Sequence, residues 1–119
     1  MIIEKTIHRG DTFCEILTFR DKATKEPIDL TQYSKIVADI REGVNSESNR
    51  IGRLTVLNGG LEISGDNNEV LSIHTETADW TKSKYYMDVR FVDENNKIVT
   101  YLSVNITVLN VITKIEDDE

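Results

Sequence analysis

The sequence predicts a small all-β domain, an antiparallel two-sheet β-sandwich of about seven or eight strands, with a barrel as the alternative closure. Three observations carry that expectation. Apolar and polar side chains alternate with period two over several segments. Short connections built from Gly, Asn and Asp separate those segments. The one helical signal is too short to form a packing layer of its own.

Taken in order, Arg9-Gly10-Asp11-Thr12-Phe13 is a turn in which the glycine ends one strand and Asp11 leads into the next. The phrase Glu26-Pro27-Ile28-Asp29-Leu30-Thr31 leads into a single helical turn over Asp29-Leu30-Thr31-Gln32-Tyr33, since the Asp29 carboxylate can accept from the free amides that follow it. Ile36, Ala38 and Ile40 then alternate with Val37, Asp39 and Arg41 as a half-buried strand. Gly43 to Arg50 is the longest polar connection, and Asn58-Gly59-Gly60 and Gly65-Asp66-Asn67-Asn68 are turns. Leu71 and Ile73 alternate with Ser72 and His74.

The clearest strand has Tyr85, Met87, Val89 and Phe91 on one face and Tyr86, Asp88 and Arg90 on the other, the pattern of a sheet with one wet side. Asp93-Glu94-Asn95-Asn96-Lys97 is a hairpin loop, because asparagine tolerates the left-handed conformation of tight turns. The last strand is expected from Lys97 to about Thr113. It carries Ile98, Leu102, Val104, Ile106 and Val108 on one face, and Val99, Tyr101, Ser103, Asn105, Thr107 and Leu109 on the other. So long a strand predicts a bulge or a covering partner chain.

A length of 119 residues suits one domain, expected over residues 1–113 with an acidic tail at 114–119. The 14 basic and 21 acidic side chains give a net charge of −7; removing the four acids Glu116, Asp117, Asp118 and Glu119 leaves −3. That balance argues against a nucleic-acid partner, whose phosphates would be repelled. No run approaches the roughly 20 apolar residues of a membrane span, so no membrane insertion is expected. Met1-Ile2-Ile3-Glu4-Lys5 lacks the apolar stretch of a signal peptide, which predicts folding in a cytoplasm. Cys14, the single cysteine, excludes an intramolecular disulfide and is expected as a small buried hydrophobe.

The candidate sites reduce to a few. Arg9-Gly10-Asp11 spells a receptor-recognition tripeptide but is better explained as a turn. Asn105-Ile106-Thr107 matches a glycosylation acceptor inside a strand of a chain without a secretion signal. The acidic runs beginning at Asp66 and at Asp93 lack the spacing of a calcium loop. His8 and His74 are too few for a histidine metal site, and Cys14 could meet either histidine only through a spatial arrangement the sequence does not signal. Catalytic residues, metals and cofactors are therefore expected to be none. Trp80 and Tyr86 are the alternative sugar-contact residues, because flat aromatic faces suit sugar rings, but Trp80 is better explained as packing over a sheet end.

The order of several phrases carries more than any one of them. Gly10-Asp11-Thr12-Phe13, Pro27-Ile28-Asp29-Leu30-Thr31 with Tyr33, Thr77-Ala78-Asp79-Trp80, Tyr85-Tyr86-Met87-Asp88-Val89, Val99-Thr100 and Val111-Ile112-Thr113 together resemble the N-terminal domain of phage baseplate upper proteins, over about Ile7 to Thr113. The resemblance implies an immunoglobulin-like sandwich in the virion of a phage or prophage. It further implies a non-enzymatic tail-baseplate component, made in the host bacterial cytoplasm, that docks other tail proteins and supports the host-adhesion apparatus, with a homo-oligomer as a further expectation. The mixed face of the last strand, Tyr101, Ser103, Asn105 and Thr107, is the expected protein interface. A carbohydrate-binding sandwich is the alternative reading.

Overall fold

A computed structural model of the chain describes residues 1–111. Ile112 and Thr113 of the closing phrase, the end of the expected domain and the acidic tail at 114–119 lie outside the described residues. The elements are β1 (Ile2–His8), β2 (Phe13–Thr18), a 3-10 turn (Leu30–Gln32), β3 (Lys35–Arg41), β4 (Arg50–Thr55), β5 (Leu61–Ser64), β6 (Val70–Thr75), β7 (Lys84–Val92) and β8 (Ile98–Leu109). They form a five-stranded sheet in the order β1-β8-β7-β3-β4 and a three-stranded sheet in the order β2-β6-β5. The chain is an immunoglobulin-like all-β sandwich of eight strands among the described residues.

Period-two alternation builds the core. From the larger sheet come Ile36, Ala38 and Ile40 of β3, Tyr85, Met87, Val89 and Phe91 of β7, and Leu102, Val104, Ile106 and Val108 of β8; from the smaller come Phe13, Leu61, Leu71 and Ile73. Fully burying one such aliphatic or aromatic side chain contributes about 1.5–3 kcal/mol, so these two facing stripes hold the sheets together. Phe19, Leu30 and Trp80 join the same core from outside the strands. Leu30 is placed there by its 3-10 turn, where Asp29 Oδ1 accepts the Thr31 amide at 2.9 Å.

All ladders are antiparallel except one: β1 runs parallel to β8, in register from Ile2 opposite Ser103 to His8 opposite Leu109. The inward residues of β1 are Ile3, Lys5 and Ile7, and Lys5 is the exception to their apolar character. Its Nζ lies 2.9 Å from Oε2 of Glu15, an inward residue of β2. That oxygen is buried and has no sound hydrogen bond among the described residues, so the ammonium is its neutralising contact between one sheet and the other.

The turns follow the sequence. Gly10 has φ +94°, a conformation that favours glycine, and its amide donates to Thr77 Oγ1 at 3.0 Å. Thr77, fully buried, donates in turn to the Asp11 carbonyl, while Asp11 Oδ2 accepts the His8 amide at 3.2 Å. The Arg9-Gly10-Asp11 tripeptide is thus built into the junction of β1 and β2. Asn68 and Asn96 take left-handed φ values of 58° and 64° in their hairpins.

Cys14 corrects an expectation. It is exposed rather than buried. Phe13, Glu15 and Leu17 take the more buried positions of β2, so the alternation turns Cys14 outward, opposite His74 of β6.

Candidate functional site

β3, β7 and β8 lie side by side in the larger sheet, and their outward residues form one polar surface. Across it, Tyr86 sits opposite Arg41 and Asn105, Asp88 opposite Asp39 and Ser103, and Arg90 opposite Val37 and Thr100. The Gly43–Ser46 segment contributes a wall, leaving a groove of about 240 Å³ lined from the strands by Asp39, Arg41, Tyr86, Asp88, Arg90, Ser103 and Asn105. That wall is held by its own hydrogen bonds. Asn45 Oδ1 accepts the Glu47 amide at 2.9 Å, and Arg41 Nη1 donates to the Ser48 carbonyl at 2.7 Å. Gly43 lets the segment pack close to Ser48, whose side chain would have to shift to admit a Cβ at that position.

Two carboxylates of the groove differ sharply in their surroundings. Asp39 accepts from Arg53 Nε at 2.7 Å and Nη2 at 3.0 Å and from Arg41 Nη2 at 3.2 Å, with Arg50 at 3.8 Å. The Arg53 hydrogen bonds first, and the charges of Arg53, Arg50 and Arg41 after them, hold its carboxyl below the usual aspartate range, and the Asp39 carboxylate in turn raises Arg53. Asp88, directly across the β3–β7 ladder, has no ion pair or side-chain hydrogen bond among the described residues, and neither has Arg90. The groove therefore presents one saturated acid, one unsaturated acid and one unsaturated guanidinium within a single surface. Asn105 donates from Nδ2 to Glu4 Oε2 at 2.7 Å, which leaves its carbonyl oxygen as an acceptor.

The structure brings together Tyr86, Ser103 and Asn105 and separates the other named residues. Thr107 lies further along the same face and accepts from Lys84 Nζ at 2.8 Å. Trp80 is no exposed shelf: it is 5% exposed, its ring packs at a tilt of 44° on Tyr85 with centroids 4.7 Å apart, and its carbonyl accepts from Arg9 Nε at 2.6 Å. The apolar indole is worth more inside the core than in water, so Trp80 cannot offer a face to a sugar.

Tyr101 stands on the other side of β8 from Ser103. Pairing slips between Val89 and Arg90, which face Leu102 and Thr100, so Tyr101 is an extra residue in the bulge. Alternation is broken there, and its ring packs on Phe91 at 5.2 Å and Phe19 at 6.2 Å. Its hydroxyl lies 3.0 Å from that of Tyr33, whose ionisation burial and this hydrogen bond push well above the usual tyrosine range. The expectation of a bulge in the last strand holds, but its position moves Tyr101 away from the face that bears Ser103, Asn105 and Thr107.

Asp39, Arg41, Asp88 and Arg90 are the charged groove residues that the sequence did not single out. Their alternation marks each as outward, but only the β3-β7-β8 pairing shows that they converge.

The class the fold defines is a two-sheet immunoglobulin-like sandwich. No family model matches the sequence, and a comparison with curated proteins finds no match. Among solved structures, the crystal structure of CopC from Methylosinus trichosporium OB3b is similar with a TM-score of 0.50 at 11% identity, over 94% of this chain and 89% of that one. Similarity at that identity is one of fold.

Proposed function

We propose that this chain is a non-enzymatic structural protein of a phage or prophage virion, a tail-baseplate component that docks neighbouring tail proteins and supports the host-adhesion apparatus. The order of its turn-strand phrases supports the family, and the eight-stranded sandwich is compatible with it. The observation that carries docking is the open start of β8. β1 pairs only as far as Ser103, with the Met1 amine on the Tyr101 carbonyl at 3.2 Å, so among the described residues Ile98 to Thr100 pair with β7 alone. Beside that uncovered backbone, Ile98, Val99, Tyr101, Met1 and Ile2 are all exposed large apolar residues. An unpaired edge flanked by apolar side chains is suited to receive a strand of another protein, with main-chain hydrogen bonds supplying affinity and the side chains selectivity.

The reading has a direct test. Antibody against the chain, located by electron microscopy, is expected to decorate the tail tip of virions released from the producing strain, and particles without label would overturn the assignment. Ile98→Lys with Val99→Asp is expected to leave the isolated domain folded, at a cost of about 1–2 kcal/mol, while removing it from the particle. Unchanged incorporation would show that another surface does the docking.

A further inference from the structure

We infer that the groove on the outer face of the five-stranded sheet is a binding site for a neutral monosaccharide unit of a glycan, received on Tyr86 between Asp88 and Arg90. This inference stands apart from the docking role, because the groove lies on the outer face of the sheet and the open start of β8 is an edge.

The charges of the groove select the ligand first. Arg41, Arg50 and Arg53 gather on Asp39, which among the described residues leaves Asp88 and Arg90 as the free opposite charges of the lining, and an anion drawn to Arg90 would meet Asp88 two residues along the same strand. A phosphate or a free carboxylate is disfavoured on that account. A hydroxyl group suits both, since it donates to the Asp88 carboxylate and accepts from the Arg90 guanidinium. Adjacent hydroxyls on one ring can use the two groups together, and the Ser103 hydroxyl and the Asn105 carbonyl oxygen add a donor and an acceptor from β8. Asp39 takes no part in contact, because its oxygens are already held by Arg41 and Arg53.

Size and shape agree. Pockets for drug-sized ligands run to about 300–1,000 Å³. At about 240 Å³ this groove is smaller and suits a single ring. Tyr86, half-buried between Arg41 and Asn105, supplies an aromatic surface for the apolar C–H side of a sugar, which the polar strand residues around it do not. The arrangement combines one aromatic surface with donors and acceptors of both kinds.

The test uses the full chain, isotopically labelled, with glucose, galactose, mannose and N-acetylglucosamine each titrated into the tens of millimolar and amide shifts followed by NMR. Saturable shifts confined to Tyr86, Asp88, Arg90, Ser103 and Asn105 are expected for at least one sugar. Asp88→Asn and Arg90→Gln, both at exposed positions and so expected to fold, should each weaken that binding about tenfold, as loss of a hydrogen bond to a charged group implies. Tyr86→Ala should abolish it. No shifts with any of the four sugars, or shifts centred elsewhere, would overturn the inference. Shifts at Arg90 with acetate but with no sugar would overturn it as well and reassign the groove to a protein carboxylate.

Discussion

From Ser103 to Val108, β8 lies between β1 and β7 and every second side chain is buried; from Ile98 to Thr100 only β7 is beside it among the described residues, and Ile98 to Tyr101 are all exposed. Apolar residues occur in both halves, Ile98 and Val99 in one and Leu102, Val104 and Ile106 in the other. Neighbours decide the difference. A strand flanked on both sides must keep its register, so its alternation stays strict. One flanked on a single side can absorb the bulge at Tyr101, which swings that ring into the cluster of Phe19, Tyr33 and Phe91. The same chain segment is thus core in one half and open surface in the other.

The sharpest way to break this contrast is to shorten one side chain in each half. Leu102→Ala should destabilise by about 2–5 kcal/mol, because it opens a cavity in the core, whereas Val99→Ala should cost under about 1 kcal/mol. Equal losses in urea unfolding would mean that Val99 is covered in solution.

A smaller effect concerns the outer face that the covered half shares with β3. Asp39→Asn should cost about 1 kcal/mol near neutral pH, the scale of a solvent-screened ion-pair network. Because the Asp39 pKa is lowered in the folded state, its contribution is complete above the unfolded value of about 4 and is lost as pH falls through the folded value. Wild type and variant should therefore converge in acid denaturation, and a constant gap would place the effect elsewhere.

The smallest belongs to the open half. Tyr33→Phe removes the hydroxyl contact to Tyr101 and should cost about 0.5 kcal/mol at neutral pH. The folded-state pKa of Tyr33 is raised, so the unfolded chain loses its proton first and stability falls as pH rises above about 10. In Tyr33→Phe that alkaline loss should be reduced; an unchanged profile would assign it to other groups.

Much of the fold was legible because β3, β6, β7 and the covered part of β8 each bury one face, which writes an alternating pattern locally. The hairpin asparagines and the Asp29 cap were legible for the same reason, since their partners lie within a few residues. What required the structure was pairing between distant segments. Nothing local tells β1 to lie parallel to β8, or Lys5 to meet Glu15, and Cys14 looks like a core residue until β2 is placed with Phe13 inward. The groove was half legible: Tyr86, Ser103 and Asn105 were named for different reasons, but their convergence with Asp88 and Arg90 depends on strand order. Trp80 is buried, as packing over a sheet end implies, which leaves Tyr86 alone of the two alternative sugar contacts.

The parallel ladder has a mechanical meaning. β1 begins at the end of the sheet where Ser103 lies, and β8 leaves at the opposite end, at Leu109. A pull applied between those two points acts along the strands. The seven paired positions from Ile2 to His8 then share the load in shear, whereas a hairpin pulled from its two open ends yields one rung at a time. The domain is tied most firmly against tension along its own strand axis.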